Sequence, residues 1–122
     1  MSVTAARGFR AAGVRAGLKA SGKPDLALVV NDGPLDTAAG VFTTNRVVAA
    51  PVVWSRRLLA GQEGGRPGHA RAVVLNSGSA NACTGEQGLR DTEATAARAA
   101  GLLRTEPGQV LVCSTGVIGE RI

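Results

Sequence analysis

Three adjacent residues, Ser114, Thr115 and Gly116, have the types and spacing that could do chemistry in this sequence. They follow Val110-Leu111-Val112, an apolar run with β-branched residues that reads as a buried strand. A small hydroxyl residue beside a glycine at a strand end lets the backbone turn its N–H groups toward a ligand. Glycine takes unusual dihedrals there and admits a close approach. Such a turn can hold a phosphate or the oxyanion of an acyl-transfer intermediate. The plain alternative is a strand that ends in a turn. A second stretch, Asn76 to Gly85, is small, polar and glycine-bearing. Its Asn76, Asn81 and Thr84 could hold a small polar substrate or could simply satisfy loop backbone. It has no GxGxxG, and no lysine follows Gly85, which disfavours dinucleotide and P-loop binding.

No residue in the chain makes a convincing nucleophile or general base. His69, in Arg66-Pro67-Gly68-His69, reads as a surface histidine without a neighbouring carboxylate, and it is the sole histidine available to a Ser-His-Asp system. Thr43 and Thr44 follow Phe42, with nothing near them to activate a hydroxyl. Asp32 and Asp36 flank a Gly-Pro turn, and Asp91 and Glu93 sit on the outer side of an expected helix, so solvation and turn formation explain all four. Cys83 and Cys113 form neither a zinc pattern nor a disulfide framework. They read as buried, structural free thiols of a reducing cytoplasm. No metal site is expected.

The elements that must position these residues can be placed by pattern. Gly8 to Ser21 reads as short strands or a hairpin, turning at Ser21-Gly22-Lys23-Pro24-Asp25. Leu26 to Val30 is a buried strand ended by Asn31-Asp32-Gly33-Pro34, and Ala39 to Thr44 is read as another strand. Ala50-Pro51 opens a short helix that Gly61 closes, and Gly61 to His69 is a loop. A strand over 71–76, a helix over 86–103 and a strand over 109–114 make a βαβ unit within an α/β (α+β) fold. Thr84 with Gln87 has capping-box spacing. Leu89, Thr92, Ala96, Ala99, Ala100 and Leu103 share one helical face. Parallel pairing would bring the 76–85 loop and the 114–116 turn to the same sheet edge, where α/β sheets bind ligands.

Composition bounds the rest. With 122 residues, the chain reads as a single domain over 1–122, without a separate linker, or as a piece of a larger one. No apolar run reaches the length of a membrane span. The net charge of +5 comes from Arg7, Arg10, Arg15, Lys19 and Lys23, which precede the first acid, Asp25; the remainder is balanced. With only Phe9 among them, these basics lack the aromatics of a nucleic-acid patch. Gly8, Gly13, Gly17 and Gly22 break the amphipathic helix of a transit peptide, and there is no apolar core for a secretory signal. They read as solvated side chains on a glycine-punctuated strand pair.

Four blocks in order carry a resemblance: GFRAAGVRAGLKASGKPDLALVVNDGP, AAGVFTTNRVVAAPVVWS, AVVLNSGSANACTGEQG and VCSTGVIGER. Spanning Gly8 to Arg121, they resemble the N-terminal part of the bifunctional ornithine acetyltransferase/N-acetylglutamate synthase family. The resemblance implies β-sheets packed between helix layers. It also implies acetyl transfer from N-acetylornithine to glutamate in arginine biosynthesis, with acetyl-CoA as a further donor in some members and no other cofactor. Family precursors cleave themselves at an Ala-Thr bond, and the new N-terminal threonine is the nucleophile, activated by its own α-amine. Thr115 and Gly116 fall on the family's oxyanion-hole pair. The cleavage site, in a Met-Thr-Thr-Asp-like context, is expected beyond Gly119, with the remaining pocket residues. Ser79 stands where many members have glycine or asparagine, a minor departure. The resemblance thus implies a cytoplasmic acyltransferase, a hetero-oligomer of processed chains with neither nucleic acid nor membrane as partner. This chain would be inactive alone. The alternative is a non-catalytic binding or assembly module derived from the same fold.

Overall fold

The computed structural model describes residues 2–119; Glu120 and Arg121, the end of the fourth block, lie outside them, as does Ile122. The described residues form strands β1 (Phe9–Val14) and β2 (Leu26–Asn31), helix α1 (Ala50–Leu59), strand β3 (Ala72–Ala80), helix α2 (Gly85–Leu103) and strand β4 (Val110–Ile118). The sheet order is β1-β2-β3-β4. β1 and β2 are antiparallel, as are β2 and β3, while β3 and β4 are parallel. The parallel pair follows from matched lengths. The 19 residues of α2 span about 28 Å, and the 9 of β3 about 30 Å. The chain therefore returns level with its start, and Ala72 pairs with Val110. The expected α/β class with its βαβ unit is the one observed.

Alternation along β3 and β4 decides what is buried. Ala72, Val74, Val110 and Val112 face Trp54 and Leu58 of α1 and Ala96, Ala99 and Ala100 of α2, and together they form the core. Leu58, Ala96 and Val110 are fully enclosed. The residues between them, Val73, Leu75 and Leu111, point to the other face and remain half-buried.

α1 starts with Pro51 in its first turn, which needs no N–H there, and passes into Gly61 at φ 76°. Besides apolar contact, it caps the outer edge of β4. Trp54 Nε1 donates to the Val110 carbonyl at 2.9 Å. Ser55 Oγ donates to the Val112 carbonyl at 3.1 Å and accepts the Val112 N–H at 3.2 Å. An edge strand leaves such groups unpaired, and burying them without partners is costly.

The structure corrects several expectations. Ala39 to Thr44 forms no strand: after Ala38 donates to Gly68 O, the chain leaves the sheet and crosses α1. Gly40 passes so near Leu59 that a Cβ would stand 3.0 Å from its Cδ1, and Phe42 lies under the Arg56 guanidinium at 5.5 Å. Val41 is wholly exposed, so strand-like composition gained neither a ladder nor burial. The expected 76–85 loop and 114–116 turn are mostly strand, because β3 and β4 pair through Ala80 and Ile118. Thr84 does precede α2, but without a capping box: its hydroxyl bonds Asn81, and Gln87 turns to Asp91. Both cysteines are free, but they are exposed rather than buried. Cys113 lies on the helix-free face of β4, and Cys83 in the left-handed residue after β3. Among the described residues no helix is long and apolar enough to cross a membrane.

Candidate active site

The residues singled out in the sequence lie together at the C-terminal ends of β3 and β4. Their register pairs Asn76 with Ser114, Ser77 with Thr115, and Gly78 with Gly116. At the last pair both residues are glycines at positive φ, 121° and 135°. A Cβ on Gly116 would stand 2.3 Å from the Gly78 carbonyl carbon. Only glycine allows the two strands to twist this way in contact.

The even-numbered residues of β4 turn main-chain groups to its outer edge, as the Val110 and Val112 bonds to α1 show. The same alternation sends the Gly116 N–H toward that edge, four residues past Val112, the last one capped by α1. Thr115, exposed, carries its hydroxyl on the helix-free face. A cleft of about 310 Å³ opens there, lined by Leu75, Ser77, Cys113 and Thr115 and closed at the side by Pro24. Although Cys113 is exposed, partial desolvation of its thiol against the cleft raises the thiol pKa, which disfavours a thiolate.

Ser114 knits the strand ends. Its Oγ donates to Ser79 O at 3.0 Å and accepts the Asn81 N–H at 3.0 Å. Asn76 lines the cleft and donates its amide to Ser79 O at 2.7 Å. Asn81 Nδ2 donates to Gly88 O at 2.7 Å and to Thr92 Oγ1 at 2.9 Å, while Asn81 Oδ1 accepts the Thr84 hydroxyl at 2.5 Å. These bonds close the turn into α2. Gly88 is required beneath them, since a Cβ there would meet Thr84 Oγ1 at 1.9 Å.

His69 has the partner that the sequence did not reveal. Its Nδ1 lies 2.8 Å from Asp36 Oδ1, with the side chain largely covered. The hydrogen bond with His69 lowers the Asp36 pKa, and Arg71 assists. The pair pins the crossing where Thr37 bridges to His69, before β3 begins, whereas Thr115 lies late in β4. Among the described residues no cluster of His, Cys, Asp or Glu could hold a metal ion. The sequence's sole Ala-Thr pair, Ala94-Thr95, is inside α2, where the Thr95 hydroxyl bonds Asp91 O at 2.8 Å. Both residues are exposed, but the pair is a regular helical step and lacks the setting of a cleavage loop.

The family model described as "ArgJ family" matches residues 10–122. The chain belongs to the ArgJ family. Among curated relatives, the arginine biosynthesis bifunctional protein ArgJ of Streptomyces coelicolor is 63% identical over 119 residues, covering 98% of this chain and 30% of that protein. The protein of the same name from Bifidobacterium longum is 62% identical over 121 residues, covering 98% and 29%. In structure, the chain is similar to ornithine acetyltransferase complexed with ornithine from Mycobacterium tuberculosis, with a TM-score of 0.92 and 56% identity over 98% of this chain and 62% of that one. The ArgJ protein of Bacillus halodurans matches with a TM-score of 0.90 and 39% identity over 100% and 60%. The chain spans about 30% of the length of the curated relatives it matches.

Proposed function

We propose that this chain supplies the oxyanion-stabilising part of an acetyltransferase that moves the acetyl group of N-acetylornithine to glutamate. The observation that carries this reading is the fit, at a TM-score of 0.92, to an ornithine acetyltransferase complexed with ornithine. In the reaction a nucleophile attacks the acetyl carbonyl, and negative charge gathers on its oxygen. The Thr115 hydroxyl and the Gly116 N–H stabilise that charge, fixed by strand pairing before substrate arrives. Preorganised donors need no reorientation as charge develops, so they favour the transition state over the bound substrate. The nucleophile, a threonine freed at an Ala-Thr bond, comes from the part of the family protein that this chain does not span. By itself the chain neither cleaves nor transfers acetyl groups. Acetyl-CoA enters only as an alternative donor, and the working enzyme is a cytoplasmic assembly of processed chains.

The test is a chimera in which residues 10–119 replace the matching stretch of the Streptomyces coelicolor relative. Radiolabelled acetyl should pass from N-acetylornithine to glutamate. A chimera that folds and processes itself but transfers nothing overturns the reading. So does turnover by the isolated 122-residue chain.

A further inference from the structure

β2 stops opposite Asn76, so β3 has no strand on that side from Ser77 onward. Residues 16–19 lie there instead, and Asp25 holds them. Its side chain is almost wholly enclosed, and its carboxylate accepts the N–H groups of Ala16 at 2.6 Å, Leu18 at 2.7 Å and Lys19 at 2.9 Å. The Asp25 N–H donates to Val14 O at 3.0 Å, and the Asp25 carbonyl accepts the Ser77 N–H at 2.8 Å. One residue thus ties together the end of β1, the 16–19 segment and β3 at the position paired with Thr115. The segment rests on Gly78, where a Cβ would stand 3.0 Å from the Leu18 carbonyl carbon and oxygen. Gly78 in turn rests on Gly116. Leu18, Gly78 and Gly116 form a stack in which the two glycine backbones touch and the Leu18 backbone and Cβ lie over Gly78.

We propose that Asp25 is a positioning residue for the oxyanion edge, fixing Gly116 through the Leu18–Gly78 stack. This rests on Thr115 and Gly116 being the oxyanion donors. Three convergent N–H groups call for an anion; an amide in its place would turn its own N–H groups toward at least one of them. Without the carboxylate the 16–19 segment lifts, Gly78 loses its support, and Gly116 drifts from the position of the developing oxyanion. A donor displaced in this way weakens the transition state and leaves ground-state binding alone, so kcat falls while KM holds.

The experiment compares Asp25→Asn, Gly78→Ala, their double variant, Asp32→Asn and Thr115→Val in the chimera. It measures kcat and KM for N-acetylornithine and hydrogen exchange of peptides covering 76–80 and 112–118. Asp25→Asn should lower kcat about tenfold to a hundredfold with KM unchanged, and exchange should quicken in both peptides. The double variant should lose little more than the worse single one, because both act through the same stack. Asp32→Asn, at an exposed ion pair with Arg10, should leave kcat and exchange unchanged. If Asp25→Asn does not fold, Asp25→Glu, which keeps the charge but displaces it, must show the same kcat-selective loss in milder form. Unchanged kcat in the Asp25 variants while Thr115→Val loses activity overturns this proposal alone. Unchanged kcat in Thr115→Val overturns the oxyanion reading and this proposal with it.

Discussion

Thr115 and Gly116 should respond differently to substitution, because one offers a side chain and the other a backbone. Thr115→Val keeps the shape and β-propensity of an exposed strand residue while removing its hydroxyl. In the chimera kcat should fall about a hundredfold or more, with the melting temperature unchanged. Gly116→Ala should damage both, since its Cβ has no room against Gly78 and the residue sits at φ 135°. The same activity loss with an unmoved melting temperature in Gly116→Ala would contradict the close pairing of the strands.

Acid sensitivity also belongs to single residues. Asp25 is held below the usual carboxylate range by the N–H of Ala16 first and then of Lys19 and Leu18, and Asp36 by His69. A carboxylate with a depressed folded pKa binds fewer protons in the native state. Its stabilisation is therefore complete above the unfolded pKa of about 3.9 and is withdrawn as pH falls through the lower folded value. Melting temperature should accordingly drop on acidification from pH 5 toward pH 2 (about the range in which native carboxylates protonate). Asp25→Asn should flatten that slope; an unaltered slope would mean that the three N–H bonds do not persist in solution.

At the scale of elements, α1 matters as a cap on a sheet edge as well as a hydrophobic lid. Ser55→Ala removes both hydrogen bonds to Val112 and leaves a buried N–H and carbonyl without partners. It should cost about 1–3 kcal/mol in chemical denaturation. Leu58→Ala, a cavity in the fully enclosed core, should cost about 2–5 kcal/mol. If Ser55→Ala proves neutral, the edge of β4 is satisfied in another way. The two helices were legible in sequence because their signals are local. Pro51 and Gly61 bracket α1, and Thr92, Ala96, Ala99 and Ala100 repeat at the helical period. The capping box failed because another local partner won: the Thr84 hydroxyl donates to Asn81, three residues earlier across the turn out of β3.

For the whole molecule, the notable feature is what the helices leave uncovered. Every residue of β1 is exposed, and Val14, Val117 and Ile118 are each more than half accessible. A cavity of about 630 Å³ runs between α2 and the β1–β2 half of the sheet, lined by Ala12, Val14, Leu26, Leu28 and Leu102. Apolar surface of this kind is a seat for further polypeptide. The 122-residue chain alone should therefore bind a hydrophobic dye and self-associate, as sedimentation would show. A stable, dye-silent monomer would favour the binding-module alternative.

The sequence by itself determined the α/β class, the βαβ unit, both helices and the family, since periodicity, proline, glycine and four ordered blocks are properties of neighbours along the chain. It could not determine where strands end. Ser114-Thr115-Gly116 and Asn76 to Ala80 have turn composition, yet each stretch pairs with the other, and that ladder outweighs local preference. Nor could it find the partners of His69 and Asp25. Asp36 lies 33 positions away from His69, and the three amides that hold the Asp25 carboxylate belong to a loop with no signature of its own. Only the tertiary structure decides such contacts, because they depend on backbones meeting across the sheet.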